Sequence, residues 1–149
     1  KHILFTYWEK GPERFTMTIS GSNRTRLLEN GYAIASPKGN KISFITNKNG
    51  DYDLYIINSD GKKQQRLTSN KGDEIGMNWS PDGQCLVFMS ELSKLYQICT
   101  IGVDGLNYKQ LTSSLFSCND PHWNPKGDLI AYSYKIDSNS VLCIINKNN

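Results

Sequence analysis

The chain has 149 residues and a mass of 16.9 kDa, with 38% hydrophobic, 21% charged and 11% aromatic residues and a formal net charge of +3. That is enough for one packed domain, and its charges are scattered along the chain, which points neither to nucleic acid nor to a membrane surface. The longest apolar runs are a few residues, such as Leu54-Tyr55-Ile56-Ile57, far short of the roughly 20 that a membrane-spanning helix needs.

In chain order the first recognisable segment is Ile3-Leu4-Phe5, followed by Ser20-Gly21 and Arg26-Leu27. The same features return more fully at Ser36-Pro37-Lys38-Gly39, Ile42-Ser43-Phe44, Leu54, Ile57, Asp60-Gly61 and Leu67-Thr68. A third set, Ser80-Pro81-Asp82-Gly83, Leu86, Phe88, Ile98, Ile101, Asp104-Gly105 and Leu111-Thr112, follows the second at a constant spacing of 44 residues. Asn124-Pro125-Lys126-Gly127, Ile130, Tyr132, Leu142 and Ile145 begin a fourth at the same spacing, and Trp79 recurs as Trp123. So regular a period marks a tandem-repeat architecture. The approximate repeats are 1–35, 36–79, 80–123 and 124–149, and both ends of the sequence cut through one.

Each repeat reads as four short strands. In the third these are Glu74 to Ser80, Gln84 to Ser90, Leu95 to Gly102 and Lys109 to Ser113, rich in β-branched and aromatic residues and separated by turn residues. In Ser-Pro-Asp-Gly, Pro sets φ near −65°, Asp suits the third position and Gly accepts positive φ at the fourth. Lys38 and Lys126 are expected to replace Asp82 harmlessly at an exposed position. Four strands in about 44 residues, repeated, predict an all-β fold, a β-propeller of four-stranded blades. The chain holds about 3.4 such blades against the four to eight of a closed propeller. It is therefore expected to be a partial propeller, completed by missing blades or by a second copy, with self-association of the partial ring.

Cys85, Cys99, Cys118 and Cys143 form no Cys-x-x-Cys pair, so structural zinc is not expected. Free thiols are the main reading, with a Cys85–Cys99 bridge as the alternative if the two shared a face of one hairpin. No Gly-x-Ser-x-Gly elbow, phosphate-binding loop or dinucleotide motif occurs. The chain is expected to be non-enzymatic, with no catalytic residues, cofactor or metal, and Asp51 and Asp53 are read as polarity at a hairpin tip. Trp79 and Trp123 are expected as core wedges. Asp73-Glu74 precedes an innermost strand and is expected at the mouth of the central channel, as are Asn119, Asp120 and His122 in the next repeat. These five, with Trp8 beside Tyr7 as an exposed anchor, are the candidate partner-binding residues; solvated loop polarity is the competing account of the five.

The run from Asn78 through Trp79-Ser80-Pro81-Asp82-Gly83 to Phe88, followed by Asp104-Gly105 and Leu111-Thr112, resembles the TolB-like β-propeller repeat family, and Asp53-Leu54-Tyr55-Ile56 fits the same pattern. Ala35 in place of Trp, Asn124 in place of Ser, and Cys99 and Cys143 in place of Tyr55 depart from it. The resemblance implies a periplasmic protein of the Tol-Pal system that binds the lipoprotein Pal through its propeller and helps maintain the cell envelope. The same repeat also occurs in the regulatory propellers of prolyl-oligopeptidase-like peptidases and in surface or carbohydrate-binding propellers, which remain the alternatives. No export signal is visible; it would have been cleaved or lie outside this sequence.

Overall fold

A tight turn with a polar first residue organises every complete sheet. At Ser36, Ser80 and Asn124 the carbonyl accepts the amide of the glycine three residues on, at 2.8, 2.9 and 3.0 Å. Those glycines, Gly39, Gly83 and Gly127, have φ of 68°, 69° and 72°, where an L side chain is strained. The first residue's side chain then closes the hairpin. Ser36 Oγ accepts the Lys41 amide at 3.1 Å, Ser80 Oγ accepts the Cys85 amide at 2.9 Å, and Asn124 Oδ1 accepts the Leu129 amide at 3.1 Å. Asn therefore replaces Ser because either oxygen does the work.

The position after proline is exposed in all three turns, yet it is not inert. Asp82 accepts from the Ser80 hydroxyl at 2.6 Å and from the Gln84 amide at 2.9 Å. Where Lys38 and Lys126 stand instead, the residue two places on takes over as acceptor: Asn40 from Ser36 Oγ at 3.1 Å, and Asp128 from Asn124 Nδ2 at 2.7 Å.

The computed structural model describes residues 2–8, 12–29 and 32–148, and among them every regular element is a strand. The chain divides into two units, Lys1–Thr68 and Ser69–Asn149. The first holds a sheet of β1 (His2–Trp8), β2 (Pro12–Thr18) and β3 (Thr25–Glu29) and a sheet of β4 (Tyr32–Ala35), β5 (Lys41–Asn49), β6 (Asp51–Asn58) and β7 (Gln65–Arg66). The second holds β8 (Glu74–Trp79), β9 (Cys85–Leu92), β10 (Leu95–Gly102) and β11 (Lys109–Gln110), then β12 (Cys118–Trp123), β13 (Leu129–Ile136) and β14 (Asn139–Asn146). All pairings are antiparallel between chain neighbours, which is the meander of a propeller blade.

The fourth strand is shorter than the expected Lys109 to Ser113. Only two residues pair, because Thr112 replaces the ladder with its side chain: its hydroxyl oxygen accepts the Ile98 amide at 2.9 Å while Leu111 N donates to Ile98 O at 2.8 Å. Thr68 does the same for Leu54, 44 residues earlier, at 2.9 Å. The recurring Leu-Thr pair is thus a strand terminator that leaves no buried amide orphaned.

Each unit has its own core. In the first, Ile42, Phe44, Tyr55 and Ile57 lie on one face of the second sheet, with Leu4, Leu27 and Ala33 packed against them and Phe44 stacked on Tyr55 at 5.4 Å. In the second, Val87, Met89 and Ile98 meet Cys118 and Ile130, with Trp123, Tyr132 and Ile145 at the margin. Trp123 and the buried Trp79 are core residues, as their period implied.

All four cysteines are free. Cys85 lies opposite Gly102 and Cys99 opposite Phe88, an offset of three residues, which is about 10 Å along a strand and places the side chains on opposite faces. The Cys85–Cys99 alternative is thereby excluded. Asp53 is also no hairpin-tip residue: it is buried, and its carboxylate meets Arg66 at 2.6 Å.

Ser80→Ala removes the acceptor for the Cys85 amide and the donor to Asp82 and is expected to cost about 1–2 kcal/mol. Asn124→Ser is expected to stay within about 0.5 kcal/mol of the parent. Urea unfolding of the two variants checks both.

Candidate functional site

The candidate residues of the second unit lie at and just before the first strands of its two sheets. Both strands carry a bulge at the same place in the repeat. The register breaks between Ile75 and Asn78 in β8 and between Asn119 and His122 in β12, and the bulged residues, Gly76 and Asp120, have φ of 62° and 51°. Aspartate is one of the few side chains that tolerates this region, and Pro121 is tolerated because a bulge needs no ladder amide there. The bulge turns the Asp120 side chain into solvent.

Next along β12, His122 is exposed and its Nδ1 lies 3.4 Å from Asn78 Nδ2, which also donates to the Pro121 carbonyl at 3.1 Å. Asn78 thereby ties the two first strands together and sets the His122 ring. Asn119 is half-buried and donates to Ser117 O at 3.0 Å, ordering the approach to β12. Asp73 is half-buried, and its carbonyl accepts the Glu91 amide at 2.9 Å.

Glu74 departs from the expectation of a channel-mouth contact. Its side chain is fully buried, and Oε1 accepts from Asn70 Nδ2 at 2.8 Å and Ser90 Oγ at 2.9 Å. Strand alternation puts adjacent residues on opposite sides, so only one of the Asp73-Glu74 pair can face outward. Glu74 acts inside, as an anchor. Elsewhere in the same sheet, the Tyr108 hydroxyl lies 3.2 Å from Cys99 Sγ. Burial pushes the Cys99 thiol up to about 11, with the Tyr108 hydrogen bond drawing it partly back, and burial likewise raises Tyr108.

Trp8 lies in the first unit, on β1, and is 72% exposed. It is thus available as an anchor, and it belongs to a different unit from the other five.

Composition-based reading missed the apolar residues leading into β12. Leu115 and Phe116 are both exposed, flanked by Ser114 and Ser117, and Phe116 stacks on Tyr134 with centroids 5.6 Å apart. The signal was present as two large apolar residues without any strand period, bracketed by Ser113, Ser114 and Ser117. Among the described residues no group of three or more His, Cys, Asp or Glu side chains is placed to hold a metal ion, and no helix is long and apolar enough to cross a membrane.

Four antiparallel sheets built on one repeat, each a meander of three or four strands, define a propeller-type fold. The TolB beta propeller domain pattern matches residues 2–149, and the chain belongs to that family. Among solved structures it is similar to a putative TolB from Agrobacterium tumefaciens, at 20% identity and a TM-score of 0.79 over 99% of this chain and 58% of that one. It is also similar to TolB from Acinetobacter baumannii, at 21% identity and a TM-score of 0.77 over 99% of this chain and 38% of that one. The tricorn protease shares the fold at 15% identity and a TM-score of 0.73, over 97% of this chain and 15% of that chain. The chain spans less than two thirds of each of these proteins. No curated protein matches it.

Because burial favours the neutral Cys99 thiol in the folded state, its contribution to stability is complete below the unfolded value of 9.0 and is lost as pH rises toward about 11. Urea midpoints measured at pH 8 and pH 10.5 should fall further for the parent than for Cys99→Ala.

Proposed function

We propose that the chain is a non-catalytic, periplasmic protein-binding scaffold of TolB type, and that its partner is a Pal-type lipoprotein of the cell envelope. What supports the reading, beyond family membership, is the composition of the surface around β12. The exposed Leu115 and Phe116 lead into a strand that presents Asp120 and His122 to solvent, so apolar anchors adjoin hydrogen-bonding and charged groups. That is the make-up of a protein-recognition surface. Asn119 and Asp73 contribute at its margin, while Glu74 holds the neighbouring strand from within. Trp8 is a second, separate anchor.

The likeness to a protease supports another reading, a regulatory propeller beside a separate catalytic domain. The two part on the partner: one binds a lipoprotein domain, the other a peptidase domain.

Biolayer interferometry against a soluble Pal-type lipoprotein domain tests the proposal. Asp120→Asn, which keeps a residue tolerant of positive φ, and His122→Ala are each expected to weaken binding about five- to tenfold, or roughly 1–1.4 kcal/mol, without moving the thermal midpoint. Phe116→Ala is expected to cost more. A well-folded parent chain that does not bind the lipoprotein domain overturns the reading.

A further inference from the structure

Asn78 and His122 stand at the same place in consecutive repeats, 44 residues apart, and the contact between them fixes which nitrogen of His122 carries the proton. Asn78 is half-buried on β8, and its Nδ2 donates to the Pro121 carbonyl of β12 at 3.1 Å. Which way a carboxamide points is decided by the groups around it. A carbonyl only accepts, so the NH2 end of Asn78 is the end turned toward β12. Its second hydrogen is left for His122 Nδ1, 3.4 Å away. An amide nitrogen only donates. Nδ1 is therefore the accepting nitrogen of a neutral ring, and the proton sits on Nε2.

The ring follows the amide and not the reverse. Pro121 is buried, within the bulge where the β12 register breaks, and turning Asn78 over would set its amide oxygen against the Pro121 carbonyl, two acceptors facing each other with neither satisfied. Nε2, on the far side of the imidazole, belongs to an exposed residue. Asp120 beside it is exposed as well and, as a carboxylate, only accepts. The surface thus offers two groups of opposite kind, an acceptor at 120 and a donor at 122.

We propose that Asn78 is a positioning residue that locks His122 as its Nε2–H tautomer, and that His122 meets the partner as a hydrogen-bond donor to an acceptor oxygen. The donor role rests on the lipoprotein reading; the tautomer does not.

Long-range proton–nitrogen correlation NMR, which separates protonated from unprotonated ring nitrogens, tests the tautomer on the chain alone at pH 8.5. His122 is one of two histidines, so its signals are assigned by their loss in His122→Gln. The parent is expected to show a single tautomer, protonated at Nε2. In Asn78→Asp, whose carboxylate only accepts, the proton is expected to move to Nδ1, and in Asn78→Ala a share of it is expected to appear there. A parent protonated at Nδ1, or evenly at both nitrogens, overturns the proposal, as does an Asn78→Asp spectrum that matches the parent's. If circular dichroism shows that Asn78→Asp does not fold, Asn78→Ala decides, and a ring that stays locked in it overturns the proposal.

Biolayer interferometry against the Pal-type lipoprotein domain tests the donor role with an isosteric pair. His122→Gln retains a donor and is expected to bind within about twofold of the parent, whereas His122→Glu, an acceptor alone, is expected to bind about tenfold more weakly. Binding by His122→Glu as tight as that by His122→Gln overturns the donor role. A parent chain that does not bind overturns the lipoprotein reading and the donor role with it, while the tautomer of the free chain still decides the role of Asn78.

Discussion

The hydrogen bond from a strand amide back to the first residue of the Ser/Asn-Pro-x-Gly turn is the constraint on which the rest of the structure hangs. Ser36, Ser80 and Asn124 each close a turn whose ends would otherwise diverge, fixing the register of the first two strands. A slip of one residue would exchange every inward and outward side chain. The next turn is bolted to the same place, for the amides of Ser59, Val103 and Lys147 donate to the carbonyls of Asn40, Gln84 and Asp128. The third strand is thereby registered against the turn that registers the second.

Once register is set, alternation does the packing. Successive residues of β9 and β10 are buried on both faces, with Leu86, Val87 and Phe88 all fully buried. Apolar character therefore runs continuously through these strands instead of alternating, and the polar residues that interrupt it are paired. Gln97 accepts from Thr112 Oγ1 at 2.8 Å and the Ser114 amide at 2.9 Å, and Asp53, at the same place one repeat earlier, meets Arg66. A neutral amide and an ion pair solve the same burial problem in different ways.

In the second unit, exposed polar chemistry is left to the first strands, β8 and β12, which are short and bulged. The bulge at Asp120 lets one strand hold Cys118 in the core and present Asp120 and His122 to solvent a few residues later. The recognition surface proposed for β12 rests on side chains held at fixed spacing by a rigid sheet.

The sequence by itself determined the all-β class, the 44-residue period, the strand-forming segments and the turns, because each rests on local chemistry: proline's fixed φ, glycine's tolerance of positive φ, and β-branched or aromatic runs of strand length. It also marked Trp79 and Trp123 as core through their period. Tertiary structure alone decided that Glu74 is buried while Asp120 is exposed, that Asp53 meets Arg66, that Cys85 and Cys99 point apart, and that Thr112 ends its strand with a hydroxyl. These outcomes depend on which residue lies across the ladder and which sheet lies above it, and such neighbours are separated along the chain by up to one full repeat.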